Sequence, residues 1–156
     1  GETTFYINEK ESGYSSLMMP KGGSGNNIRA IAVSIKKLDD LAKFQDVDAI
    51  KIDVEGAELG VIMGGKNTIT NNRPIIMFES APGETNNKED IWNVFWSLEY
   101  GIHLPNRVAH NDNPLSKDCF LDSHIYPRFT TNYFAIPFEK RLEYRDRARE
   151  ILSIRA

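Results

Sequence analysis

The chain has 156 residues, 40% of them hydrophobic and 26% charged, with a formal net charge of -3. That is enough for one domain with a real core and too little for two, and the acidic balance argues against nucleic acid as a partner. Cys119 is the only cysteine, so an internal disulfide is impossible and a reduced, cytoplasmic compartment is expected. No apolar run reaches the ~18–20 residues of a membrane span, so no membrane partner is expected. Gly1-Glu2-Thr3-Thr4 has neither the basic nor the apolar region of a secretion signal. The strand-like start without an initiator methionine reads as a chain cut from something longer.

Thr3–Ile7 is β-branched and aromatic and reads as a strand. Residues 20–27 form a glycine-rich stretch that reads as a connector between two strands. In Ile28–Ile35 the face of Arg29, Ile31, Val33 and Ile35 carries most of the large apolar groups, which predicts a half-buried strand. A short helix is expected over Leu38–Phe44. Asp48–Val54 reads as a strand whose apolar run ends in Asp53 and Glu55; Gly56 permits a tight turn, and a helix opens with Glu58 in its first turn.

Ala57–Thr70 carries an apolar stripe of Leu59, Ile62, Met63 and Ile69, which predicts a helix. Gly64-Gly65 are placed to allow a bend or close packing, and the Asn-Asn-Arg-Pro run at 71–74 stops the helix. Ile75–Phe78 is a short apolar run closed by Glu79, which suits a strand buried in a parallel sheet. Asp90–Tyr100 predicts the next helix, with Gly101 as its stop. Pro105–Tyr126 reads as irregular and polar. Thr131–Phe138 reads as a strand, and Glu139–Ile154 as a charged helix with Leu142, Ala148, Ile151 and Leu152 inward. Strand and helix in alternation are the α/β signature.

In open α/β sheets ligands sit outside the carboxyl ends of the strands. That singles out Asp53, Glu55, Glu58 and Glu79. Asp53 and Glu79 each close a strand, and if those strands are neighbours the two carboxylates share one edge. Grouped acids there can act as general base toward a hydroxyl or amine, hold a substrate's polar groups, or bind a hard cation. The plainer alternative is that acids near a helix start complement its dipole, worth ~0.3–1 kcal/mol each. It weighs equally for Glu58 and less for Asp53, because an acid inside an apolar run needs a partner.

Gly60–Asn67 nearly spells a nucleotide phosphate loop, but Asn67 stands where a hydroxyl is required and no strand precedes it, so that reading is rejected. His103, His110 and His124 lack metal-ligand spacing, and no metal is expected. His110, Asp112 and His124 fall in a polar stretch read as solvated surface, and Cys119 is read as packing or surface. Trp92 and Trp96, four apart, are read as packing. Arg141, Arg145, Arg147 and Arg149 alternate with acids and read as a solvated face with salt-bridge spacing.

Five stretches, in order, are similar to the FkbM family of S-adenosylmethionine-dependent methyltransferases. They are Ser15-Ser16-Leu17; the strand and Leu-Asp-x-Leu of Val33–Leu41; Val47–Glu58 with its Ile-Asp-Val-Glu-Gly-x-Glu block; Arg73–Glu79; and Asn132–Ala135. The Val47–Glu58 block is specific and the others gain weight from their order. The resemblance implies an α/β fold of class I (Rossmann-like) type, with a seven-stranded, mostly parallel sheet and helices on both faces. Asp48–Val54 would be its fourth strand, Ile75–Glu79 its fifth, and Thr131–Phe138 the antiparallel seventh. It also implies S-adenosylmethionine as cofactor and a small-molecule or saccharide methyl acceptor, methylated on oxygen or nitrogen. Asp53 would serve as cofactor-binding and catalytic residue at the cofactor–acceptor junction, with Glu55 and Glu79 orienting the acceptor or taking its proton.

The family's glycine-rich first loop and the acid ending its second strand have no counterpart among these residues. Residues 1–156 are therefore expected to be a single partial domain, lacking most of the cofactor side and inactive by themselves, whose partner is the N-terminal half of the same domain. Asp48–Val54 would then be an open edge prone to self-association. The alternative expectation is a truncated or degenerate α/β module without catalysis.

Overall fold

The structure is a computed structural model that describes residues 1–10, 15, 17, 27–41, 46–54, 56–80, 87–125 and 130–154. Ser16, the connector up to Asn26, the end of the expected helix at 42–44, Glu55 and Tyr126 lie outside the described residues.

The β-branched opening forms β1 (Glu2–Asn8), which pairs antiparallel with β2 (Ile28–Ser34), Glu2 opposite Ser34 and Asn8 opposite Ile28. Ile31 and Val33 are half-buried, as the apolar face predicts, while Ile35 is exposed. This hairpin is a sheet of its own. It is followed by α1 (Leu38–Leu41), β3 (Ala49–Ile52), α2 (Glu58–Gly64) and α3 (Lys66–Asn72).

The single helix expected over Ala57–Thr70 is two helices broken at Gly65. A Cβ on Gly65 would lie 2.7 Å from Leu38 Cδ2, so both the bend and the close packing expected of Gly64-Gly65 are present. Asp39 then fastens the start of α3, accepting from the amides of Asn67 at 3.0 Å and Thr68 at 2.8 Å and from Thr68 Oγ1 at 2.8 Å. Those amides are the ones a helix start leaves unpaired.

The second half of the chain supplies β4 (Ile75–Glu79), α4 (Lys88–Ser97), β5 (Tyr100–His103), α5 (Lys117–Asp122), β6 (Asn132–Pro137) and α6 (Arg141–Ile151). The main sheet runs β3-β4-β6-β5. β3 and β4 are parallel, whereas β6 is antiparallel to both β4 and β5. The sheet is thus mixed, with one parallel and two antiparallel pairs, and not mostly parallel as expected. The cause is the place of β6: it runs opposite to its neighbours and separates β5 from β4. β3 stands at the edge, and among the described residues no strand pairs with its outer side.

Strand β5 lies where a helix end and stop were expected. Glu99 takes the left-handed backbone, φ 61°, that ends α4, so Gly101 is not needed as the stop. It is needed for packing, since a Cβ there would sit 2.7 Å from Pro114 Cβ. Residues 105–125 are more ordered than their polarity implies: Ser116 caps α5 by accepting the Cys119 amide at 3.2 Å, and Val108, Ala109, Phe120 and His124 are buried.

The core centres on Phe78, whose ring lies 5.2 Å from Phe95, 5.4 Å from Tyr133 and 6.3 Å from Phe120. Ile62, Ile69, Ile76, Ile91 and Ile102 close around it, each such side chain contributing ~1.5–3 kcal/mol by leaving water. In α6 the expected inward residues Leu142 and Ile151 are exposed, as is Leu152 just past the helix end; only Ala148 is half-buried. The face turned to the protein carries arginines instead. Arg141 donates to the carbonyls of Val108 and His110, Arg145 to Asn111 Oδ1, and Arg149 to the carbonyl of Ala109. Among the described residues, no helix is long and apolar enough to cross a membrane.

Candidate active site

The parallel register sets Ile52 opposite Phe78. The next residues, Asp53 and Glu79, therefore leave the sheet side by side at its carboxyl edge, and their side chains are within hydrogen-bonding reach. The juxtaposition expected from two strand-end acids is present. Lys51, two residues before Asp53 and on the same side of the strand, pairs with its carboxylate. That hydrogen bond and charge, with a smaller contribution from Glu79, hold the Asp53 carboxyl below the usual carboxylate range. Asp53 is about half exposed, so its partner and water together answer the cost of an acid at this place. Glu79 is half-buried, opposite Asn132 of β6.

Glu55 lies outside the described residues. Glu58 is only 4% exposed and accepts the Gly56 amide at 3.0 Å. Gly56 has φ 78°, in the left-handed region that favours glycine, so Glu58 closes the tight turn between β3 and α2. That is a more buried role than a surface complement to the helix dipole.

Beside Asp53 opens a cleft of about 950 Å³ between the hairpin and the β3–α2 turn, at the upper end of the ~300–1,000 Å³ common for small-molecule sites. Asp53, Val54, Ala57 and Val61 line one wall, and Phe5, Val33 and Ile35 face them. Leu17, Ile35, Leu41 and Val54, all among the exposed large apolar side chains, converge on it. Apolar walls with a few convergent polar groups are the usual build of a ligand site. Chemically, the carboxylate pair can orient a hydroxyl or amine and receive its proton. No group of three or more His, Cys, Asp or Glu that could hold a metal exists among the described residues.

A second polar group was not anticipated. His124, read as solvated surface, is 6% exposed, and Ser80, Ser123 and Tyr133 beside it are equally buried. His124 Nε2 lies 3.1 Å from Ser80 Oγ, and Tyr133 Oη lies 2.7 Å from Ser123 Oγ. Burial lowers the His124 imidazole below its ordinary range. His103 is also buried, and burial depresses it to about 4, whereas His110 is exposed. The signal that could have exposed this group was Ser116 followed by Asp118, a helix start that makes α5 and turns Phe120 and His124 to one side. Cys119, read as packing or surface, is free and exposed. Trp92 and Trp96 stack with ring centres 4.8 Å apart.

The sequence model of the methyltransferase FkbM domain matches residues 1–102, from the hairpin to β5. The similar stretch at Asn132–Ala135 lies beyond that match. No curated protein and no solved structure matches the chain. The match takes in well over half of the 156 residues, including both strand-end acids, and the chain belongs to the FkbM methyltransferase family.

Proposed function

We propose that the chain is part of an S-adenosylmethionine-dependent methyltransferase that methylates an oxygen or nitrogen of a small molecule or saccharide. The observation that carries this reading is the meeting of Asp53 and Glu79 at neighbouring strand ends beside the cleft, in a chain of a methyltransferase family. The order β3-β4-β6-β5 with an inverted β6 supports assigning the sheet to one side of a class I (Rossmann-like) methyltransferase sheet. The open edge of β3 would receive the strands of the cofactor-binding half.

The residues present fit the cofactor in part. A carboxylate that stays ionised suits a cationic sulfonium or ammonium, and the apolar walls suit a purine ring, so Asp53 and Val54 would hold it from this side. When bound, S-adenosylmethionine supplies an electrophilic methyl group. Asp53, kept anionic by Lys51, is a poor proton acceptor and serves by charge and orientation. Glu79, half-buried beside it, is the group proposed to take the proton that the acceptor's hydroxyl or amine gives up, from the state in which no proton is shared between the two carboxylates. Glu55 is assigned to orienting the acceptor. The exposed free thiol of Cys119 suits a reducing cytoplasm.

The test is transfer of isotopically labelled methyl by the complete enzyme to a panel of saccharides, alcohols and amines. Label in an O–CH3 or N–CH3 product supports the reading. No labelled product and no turnover of the cofactor across the panel favours the non-catalytic module.

A further inference from the structure

The polar group under the sheet edge has an assignment of its protons that satisfies every donor. His124 Nδ1 lies 2.8 Å from the Phe120 carbonyl, which can only accept, so Nδ1 carries hydrogen. In the neutral ring Nε2 is then an acceptor. Ser123 Oγ donates to the Phe120 carbonyl at 2.6 Å, so it must accept from Tyr133 Oη at 2.7 Å. The tyrosine proton has acceptors in Ser123 Oγ and, at 3.3 Å, the Thr130 carbonyl, so Nε2, 3.3 Å from Tyr133 Oη, takes its hydrogen bond from Ser80 Oγ at 3.1 Å. With the imidazole neutral and protonated at Nδ1, every donor in the group has an acceptor.

Ser80 directly follows Glu79, and its amide bonds the Thr131 carbonyl at 2.7 Å. Its side chain points to the opposite side of the strand from that of Glu79, down onto His124. The carboxyl end of β4 is thus tied at two points, one on the chain leading into β6 and one on the end of α5.

We propose that His124 is a positioning residue for the Asp53–Glu79 pair, anchoring Ser80 and thereby fixing the end of β4 from which the Glu79 carboxylate projects. The inference rests on the reading of Asp53 and Glu79 as the site's chemistry. Protonation of His124 turns Nε2 from acceptor to donor and leaves the Ser80 proton without a partner. Tyr133 of β6 is the titratable group that faces the ring, and Lys88 at the start of α4 is the charge that acts on it; the backbone groups of Phe120, Leu121 and Ser80 favour the cation, and burial, the largest influence, outweighs them. A buried polar set of this kind specifies one arrangement only while every member is satisfied.

The experiment uses the complete enzyme, isotope-labelled, in NMR and needs no turnover. Long-range proton–nitrogen correlation at neutral pH is expected to show His124 protonated at Nδ1 with a bare Nε2. His124→Gln places an amide oxygen where Nε2 was and is expected to leave the Asp53 and Glu79 carboxyl carbon shifts as in the parent. His124→Asn keeps a donor for Phe120 but cannot reach Ser80, and is expected to move both shifts. Should either variant fail to fold, Ser80→Ala removes the same hydrogen bond and is expected to move them too. An Nε2-protonated ring, or carboxyl shifts unmoved by both His124→Asn and Ser80→Ala, would overturn the proposal. Failure of methyl transfer would leave these results intact and count only against the reading of the reaction.

Discussion

Arg73 and Glu139, 66 positions apart in the chain, are joined by two hydrogen bonds, Nε to Oε1 at 2.7 Å and Nη2 to Oε2 at 2.8 Å. The same guanidinium donates to the carbonyls of Leu98 at 2.6 Å and Glu99 at 3.2 Å and lies 4.7 Å from the centre of the Tyr100 ring. Arg73 itself sits in the left-handed region at φ 52°, ending α3. One side chain therefore ties the entry to β4, the end of α4 and the exit of β6. Arg73→Ala is expected to cost ~2–3 kcal/mol through unpaired carbonyls and lost packing. Glu139→Gln, at a half-exposed pair, is expected to cost ~0.5–1 kcal/mol. Thermal denaturation checks the order, and equal losses would contradict it.

The pH dependence of stability has two distinct limbs. The Arg73 hydrogen bond holds the Glu139 carboxyl down to about 2. A depressed carboxylate stabilises the fold above its unfolded value near 4.5 and loses that contribution as pH falls toward 2. His103 is also lowered, here because burial disfavours its charged form, to about 4. Its neutral form is favoured in the fold, so its contribution is full above about 6.5 and declines between there and about 4. Urea midpoints measured across this range are expected to fall first on the histidine limb and then on the carboxylate limb. Glu139→Gln should flatten only the second.

Gly101 and Gly65 both prevent a close contact, yet against different neighbours. A Cβ at Gly101 meets the Pro114 ring at 2.7 Å and 3.1 Å, whereas at Gly65 the 2.7 Å neighbour is the far end of the Leu38 side chain. A ring cannot rotate away and a leucine methyl can. Gly101→Ala is expected to cost ~1–3 kcal/mol, or ~2–4 °C in thermal midpoint per kcal/mol at this size. Gly65→Ala is expected to cost less. The reverse order would show that Pro114 yields and Leu38 does not.

Much of the architecture was legible where apolar runs end in a charged or special residue. Ile50-Lys51-Ile52 closing on Asp53, with Gly56 beyond, gave β3, its turn and α2. Ile75–Phe78 closing on Glu79 gave β4, and the register then brought the two acids together. β5 was hidden because a glutamate, Glu99, supplies the left-handed stop and Gly101 offers a decoy. The inward arginines of α6 were hidden because the partners of Arg141 and Arg149 are backbone carbonyls, which leave no trace in sequence, and that of Arg145 is Asn111, 34 residues away. The Ser80–His124–Tyr133 group was hidden for a third reason: Ser80 is 44 residues from His124, and only the finished sheet joins them.

The outer side of β3 is the exposed ladder of this sheet. Ala49 and Lys51 are exposed, and among the described residues nothing pairs with that side. One lysine is a weak guard against edge pairing. The chain by itself is expected to self-associate through residues 49–52, and Ala49→Lys is expected to shift it toward monomer. Sedimentation velocity checks this. A monomer at the concentrations used for NMR would contradict it and show that the edge is guarded.

Asp53 is the residue on which the account turns, because it meets Lys51, Glu79 and the cleft at once. The most direct measurement is methyl transfer by the complete enzyme carrying Asp53→Asn, an isosteric change that removes only the charge. Turnover is expected to fall by about 10²–10³-fold, the range typical for removing one preorganised electrostatic contact to the reacting centre. The thermal midpoint is expected to stay close to the parent's. Unchanged turnover in Asp53→Asn, in an enzyme that does transfer methyl, would contradict the account and make Asp53 a strand end and nothing more.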